Sequence, residues 1–103
     1  MVEPTITSYV ELSVGSVWYD TVDQPHIPVR ITNHFSKNIV VVVELRTLDG
    51  RVVEKKGPIE LKGGKQQELE FIVEAPDKFL VVCKWRRELE KEWSFLKPVE
   101  VKA

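Results

Sequence analysis

A run of short apolar segments between Pro25 and Trp85 decides the fold of this chain. The segments read PHIPVRITN (25–33), NIVVVVELRTL (38–48), RVVE (51–54), PIEL (58–61), QQELEFIVE (66–74) and KFLVVCKWR (78–86). Apolar and polar residues alternate within most of them, and turn-forming pairs such as Asp49-Gly50 and Gly63-Gly64 separate them. Alternation with a period of two, broken by turns at short intervals, is typical of strands buried on one face. The stretch therefore predicts an antiparallel sandwich of two sheets.

The bulk composition fits one globular domain that carries no strong charge. We expect residues 1–103 to form a single domain, because 103 residues are enough for one core. The net charge of -1 creates no field that would attract nucleic acid or an anionic membrane. Charged residues make up 30% of the chain and are mostly Glu and Lys, a bias of hyperthermophile proteomes.

Neither end of the chain carries a recognisable targeting or membrane-spanning segment. The first residues, MVEPTITSYVELSV, lack the basic stretch followed by an apolar run that marks a signal peptide. No window approaches the roughly 20 apolar residues of a membrane span. We therefore expect a soluble, cytoplasmic protein without a membrane span, or an extracellular one if the chain is an excised domain.

The alternation predicts seven strands in two sheets. Their expected ranges, in order, are 5–13, 27–32, 39–48, 51–54, 66–74, 79–86 and 93–101. A bend at Gly15 is expected to let Val17-Trp18-Tyr19 continue the first strand, and 59–61 is a further short segment after a turn at 55–58. The third, sixth and seventh strands are expected to share one sheet.

The segment 86–93 (RRELEKEW) has two interpretations. Its good helix formers permit a short helix. Leu89 would be the only apolar anchor of that helix, however, and one anchor is too little for docking. A charged hairpin tip between the last two strands is therefore favoured.

Two further expectations concern the core and one turn. Phe71, Val81, Trp85 and Val43 alternate with charged or polar neighbours, so they are expected to meet in the core. Asp49-Gly50 between two apolar runs predicts a two-residue hairpin turn with positive φ at both positions.

From Ile27 onward the chain resembles the fibronectin-type-III-like and cell-adhesion-related β-sandwich modules of bacteria and archaea. The resemblance covers roughly three-quarters of the chain, and its residues are Val29–Asn33, Val41–Leu45, Asp49-Gly50, Leu61–Gly64, Glu70–Val73 and Phe79–Val82. It implies an all-β, seven-stranded, antiparallel immunoglobulin-like sandwich. In such modules the asparagine at position 33 ends the second strand, and the glycines at 63–64 precede the fifth.

Residues suited to catalysis or metal binding are scarce. His26 and His34 fit no ligand-spacing motif and are expected to be surface-loop histidines. Cys83 is the only cysteine, so it forms no intrachain disulfide, and its alternation with Val81 predicts a small core residue. Glu68 and Glu70 are expected to face water. We expect no enzyme activity, no cofactor and no metal site.

One candidate surface is the outer face of the sheet that contains the third and sixth strands. If Val41, Val43, Phe79, Val81, Trp93 and Phe95 point inward, the opposite face receives Val40, Val42, Leu80, Val82 and Leu96. An apolar patch rimmed by charge would serve as a protein interface. The alternative is that the N-terminal segment or a local bend covers these side chains, or that they are scattered.

A second candidate is the charged hairpin at 84–93. Lys84, Arg86, Arg87 and Lys91 lie close to Trp85 and Trp93 in sequence, and interleaved cations and aromatics can form a stacking groove. Three glutamates in the same segment oppose the positive field. The sequence thus predicts a non-enzymatic protein-interaction or structural module that binds a protein partner or a second copy. The alternative is a domain that binds a ligand or single-stranded nucleic acid through this hairpin.

Overall fold

A computed structural model describes residues 9–103 as nine strands in two antiparallel sheets. In chain order the strands are β1 (Val10–Val14), β2 (Trp18–Tyr19), β3 (Pro25–Asn33), β4 (Ile39–Thr47), β5 (Val52–Leu61), β6 (Gln66–Ile72), β7 (Lys78–Arg87), β8 (Ser94–Phe95) and β9 (Val99–Lys102). The all-β class, the two antiparallel sheets and the absence of a disulfide are confirmed. The strand count is higher than the expected seven, because β2 and β8 are separate two-residue strands.

Long strands lie at the centre of both sheets: β3 in the four-stranded sheet, and β4 and β7 in the five-stranded sheet. In the four-stranded sheet, β3 pairs with β1 and β2 on one side and with β6 on the other. In the five-stranded sheet, β4 lies between β5 and β7, and β7 also pairs with β8 and β9. The prediction that the third, sixth and seventh strands share a sheet is therefore confirmed.

The inward residues of both sheets form one apolar core. Phe71 from β6 is fully buried, as are Val43 from β4 and Val81 from β7. Trp85 is half-buried, packs against this cluster, and its ring centroid lies 5.2 Å from that of Phe35. The predicted meeting of these four residues in the core is confirmed. Cys83 is also fully buried there.

The connections differ from the sequence predictions at several points. β5 continues through 55–58 as one strand, so the predicted turn there is wrong. It continues because Gly57 has a φ of 111° and passes so close to β4 that a Cβ would lie 2.7 Å from the carbonyl oxygen of Val41. The register of β4 and β5 shifts at this point. The predicted turn at Gly63-Gly64 is present, and Gly64 has a φ of 73°.

The Asp49-Gly50 hairpin has a different turn from the predicted one. The Gly50 amide donates to the Thr47 carbonyl at 2.9 Å, and the Thr47 amide donates to the Arg51 carbonyl at 2.9 Å. Gly50 has a φ of 95°, whereas Asp23 is the one non-glycine residue of 9–103 with a positive φ. The two-residue primed turn is therefore wrong: the loop has three residues and ends on a left-handed glycine.

The segment 86–93 and the first strand also differ in part from the sequence predictions. The short helix considered for 86–93 is wrong, because β7 runs to Arg87 and a hairpin tip follows. The expected first strand extended to Thr5, but 5–8 lie outside the described residues. Val10–Val14 forms β1, and Trp18–Tyr19 continues its edge as expected. Within the described part of the chain, no helix has the length and apolar character needed to cross a membrane.

Candidate interaction surfaces

The outer face of the five-stranded sheet receives part of each surface that the sequence suggested. Lys84 pairs with Val42 of β4 on one side and with Phe95 of β8 on the other, so the three lie in one row. Arg86 pairs with Val40 one row away. Val40 and Val42 of the expected patch and Lys84 and Arg86 of the hairpin thus lie on one continuous sheet face.

The five residues predicted to form an apolar patch do not form one together. Val42 is only 2% exposed and Val82 is also buried within the chain, although neither belongs to the core cluster. Val40 and Leu80 are half-buried. Leu96 packs against the core and its amide donates to the Cys83 carbonyl at 3.0 Å, so its expected place on the outer face is wrong.

The aromatic residues of this face are Phe95 and Trp93, which had been expected to point inward. Phe95 is 65% exposed, and it shares the outer side with Lys84. The Trp93 ring centroid lies 4.7 Å from Lys84 Nζ and 5.2 Å from Arg86 Cζ. The inward prediction is wrong because the chain leaves β7 through a loop, and the pairing across β7 then sets which side each aromatic faces. We call the outward side chains of β4, β5, β7, β8 and β9, together with Trp93, the basic face.

The four cations of the predicted binding tip do not form one patch. Arg86 Nη1 donates to the carbonyl oxygens of Arg87, Glu88 and Glu90 at 3.1 to 3.3 Å, so this group holds the hairpin loop. Arg87 Cζ lies 5.0 Å from the ring of Phe35, which packs on the inner side. Lys91 is exposed in the loop. Lys84 and Arg86 therefore remain on the basic face, and Arg87 does not.

A cluster around His26 lies on the outer face of the other sheet. The imidazole is held between two carboxylates, with Nδ1 2.7 Å from Glu70 Oε1 and Nε2 2.8 Å from Asp20 Oδ2. The Trp18 ring stacks on it with centroids 3.8 Å apart, and Trp18 Nε1 donates to Glu70 Oε2 at 3.3 Å. His26 is only 7% exposed. The prediction of a surface-loop histidine is thus wrong for His26, and Glu70 is engaged rather than simply solvated.

This arrangement favours a charged imidazole. The hydrogen bonds to Glu70 and then to Asp20 raise the pKa of His26 above its ordinary value. The same contact lowers the pKa of Asp20, together with the amides of Gln24 and Val22. Both ring nitrogens are occupied by carboxylates, so neither is free to take a proton from a substrate. The cluster ties the loop after β2 to β3 and β6.

A groove lies beside this cluster. Its volume is about 460 Å³, and it is lined by Ser13, Gly15, Pro28, Arg30, Glu68 and Glu70, with the Val29 and Leu69 positions beneath. Arg30 Nη2 pairs with Glu68 Oε1 at 2.8 Å across the strands. We call the outward side chains of β1, β2, β3 and β6, together with Asp20, the acidic face.

Cys83 and His34 are held by their surroundings within the described residues. Burial raises the pKa of the Cys83 thiol to about 12, which leaves it protonated at neutral pH. The His34 ring stacks on Tyr9 at 4.3 Å, and its Nε2 lies 3.1 Å from Glu11 Oε1. Across residues 9–103, no group of three or more His, Cys, Asp or Glu side chains converges as metal ligands would.

Comparison with known proteins adds no assignment. No model of a known protein family matches the sequence, and a search of curated proteins finds no match either.

Proposed function

We propose that this chain is a non-enzymatic protein-interaction module built on an immunoglobulin-like sandwich. The support for that sandwich type is the strand distribution. The seven strands of four or more residues divide into β1, β3 and β6 in one sheet and β4, β5, β7 and β9 in the other. The chain crosses between the sheets three times, from β3 to β4, from β5 to β6 and from β6 to β7, and immunoglobulin-like domains also cross three times.

The observation that carries the interaction role is the exposed aromatic cluster of the basic face. Phe95 leaves most of its surface to solvent on a sheet, where outward positions are normally polar. Lys84 pairs with Phe95 across β7 and β8, and Lys84 and Arg86 both lie against the Trp93 ring. Aromatic residues and arginine are enriched at protein interfaces and dominate their binding energy. A protein partner that covers Phe95 would remove this apolar surface from water.

A protein partner fits this face better than the alternative, a single-stranded nucleic acid. Stacking of bases needs open aromatic faces beside free cations. Here Lys84 and Arg86 lie against the Trp93 ring, and the Arg86 guanidinium also donates to backbone carbonyls of the loop. Glu88, Glu90 and Glu92 in the same loop would repel phosphates.

Affinity capture tests the proposal. Immobilised wild-type protein is compared with Phe95→Ser and with the control Leu48→Ser, which alters an equally apolar, exposed residue in the β4–β5 turn. Proteins retained from a lysate of the source organism are identified by mass spectrometry, and binding of labelled single-stranded oligonucleotides is measured in parallel. We expect one protein to be retained by the wild type and the control, and to fall at least tenfold with Phe95→Ser. Equal retention by all three, or oligonucleotide binding that Phe95→Ser abolishes, would overturn the proposal.

A further inference from the structure

The two outer faces carry opposite charge. On the basic face, strand pairing places six basic residues and three acidic ones, a net charge of +3; they are Arg46, Lys55, Lys78, Lys84, Arg86 and Lys102 against Glu44, Glu60 and Glu100. On the acidic face four carboxylates outnumber two basic groups, a net charge of -2 even when His26 is counted as a cation; they are Glu11, Asp20, Glu68 and Glu70 against Arg30 and His26. The near-neutral total therefore hides a separation across the sandwich.

Each face also has its own exposed apolar residues. On the acidic face Trp18 is 47% exposed and Ile72 is 52% exposed, and they lie on either side of His26 in the pairing of β2, β3 and β6. On the basic face Phe95 projects beside Lys84. The acidic face is hollow at the groove of about 460 Å³ that Ser13, Pro28 and Glu68 help to line.

We propose that the acidic face of one copy binds the basic face of a second copy. The inference rests on the proposed function, since it names the partner of the basic face. Phe95 enters the groove of the neighbouring copy, and Lys84 faces the Glu68 and Glu70 carboxylates that line it. Opposite potentials on the two faces steer this encounter and oppose pairing of like faces.

The contact has a consequence for assembly. Because two different faces meet, each complex still has one free acidic face and one free basic face. Such a heterologous contact closes into a ring only if the rotation between copies permits it, and otherwise it extends as an open chain. The expected species in solution are therefore dimers, trimers and longer oligomers that grow with concentration.

The first experiment is sedimentation equilibrium of the wild-type protein, from micromolar to near-millimolar concentration. The monomer mass is 11.9 kDa. We expect the average mass to rise with concentration at about 0.01 M salt and to return to the monomer value at about 1 M salt, where the Debye length is only about 3 Å. A monomer at every concentration in low salt would overturn the proposal.

The second experiment exchanges the charges of the two faces. Glu68→Lys brings the net charge of the acidic face from -2 to 0, and Lys84→Glu brings that of the basic face from +3 to +1 where it meets the groove. Each variant alone should lose at least tenfold in association constant, because its contact always includes the altered face. An equimolar mixture should associate again, because the unaltered basic face of the Glu68→Lys variant meets the unaltered acidic face of the Lys84→Glu variant. Lys37→Glu and Glu88→Lys are matched controls, since they make the same charge changes in loops and should leave association unchanged.

The outcomes separate this proposal from the proposed function. If Lys84→Glu lowers the melting temperature, Lys102→Glu replaces it, because Lys102 is exposed on the same face. Association of the wild type without recovery in the mixture would mean that copies meet through other surfaces. That outcome would overturn the proposed contact between the acidic and basic faces. A monomeric wild type that still loses a captured protein on Phe95→Ser would overturn the second-copy partner and leave the interaction role standing.

Discussion

His26 is the residue whose role depends most on groups distant in sequence. Its two partners are Asp20 in the preceding loop and Glu70 on β6, 44 residues further along the chain. No local pattern joins these three positions, so the sequence suggested a surface-loop histidine. Only the antiparallel register of β3 and β6 brings Glu70 beside the ring. Sequence patterns predict strands well, but they do not predict which side chains meet across them.

The doubly bound imidazole makes stability depend on pH. The pKa of His26 is raised in the folded chain, so its contribution is complete below the unfolded value of about 6.5 and is lost as the pH rises through the folded value. A neutral ring has one N–H, so it can donate to only one of the two carboxylates. We expect the urea midpoint of the wild type to decrease as the pH is raised from about 6 to about 9, because His26 loses its proton and one of its two carboxylate contacts.

His26→Gln removes the titrating group, and the fall in midpoint over that pH range should become smaller. His34→Gln is the matched control, because it removes the other histidine and keeps the His26 cluster. An equal pH dependence in the wild type and in His26→Gln would contradict a stabilising charged imidazole. Below about pH 4 the opposite sign applies, because the lowered pKa of Asp20 means that stability is lost as that carboxylate becomes protonated.

At the scale of the elements, alternation predicted the long strands but not their ends or their phase. Val41, Val43, Phe79 and Val81 point inward as the period of two requires. At Phe95 the same period predicted the wrong side of the sheet, because a loop separates β8 from β7 and only the cross-strand pairing with Lys84 sets which side Phe95 faces. The Gly57-Pro58 pair resembled a turn, but its glycine lets β5 pass close to β4 without a break.

The β4–β5 hairpin offers a test at this scale. Gly50 has a φ of 95°, and a Cβ there would have no atom within 4 Å, so conformation alone decides the effect of a substitution. Gly50→Val places a β-branched side chain in the left-handed region, where we expect a loss of about 1–3 kcal/mol in the free energy of unfolding. Urea denaturation measures this loss. Gly50→Asn should lose less, because asparagine tolerates this conformation, and equal losses for both variants would contradict the backbone explanation.

At the scale of the whole molecule, the pairing of strands separates charge that the composition hides. The lysines and arginines of the basic face are spread from 46 to 102, and the four acidic-face carboxylates from 11 to 70. Each strand is an ordinary mixture of charges and apolar residues, so the asymmetry arises only when β4 and β7 lie side by side in one sheet and β3 and β6 in the other. The net charge of -1 therefore does not indicate which part of the surface would attract a charged partner.

The two sheets hold together through one core, and Phe71 is the largest of its fully buried side chains. It projects from the four-stranded sheet, and Lys56 Nζ of the five-stranded sheet lies 5.5 Å from its ring.

Phe71→Ala should remove about 3–5 kcal/mol from the free energy of unfolding, a large part of the ~5–15 kcal/mol of a small domain. Phe95→Ala removes the same side chain from the outer side of the sandwich, where we expect a change within about 0.5 kcal/mol. Chemical denaturation at low protein concentration compares the two, so that self-association does not contribute. Comparable losses for both phenylalanines would mean that Phe95 is held by the fold rather than left open for a partner, and a negligible loss for Phe71 would contradict a core shared by both sheets.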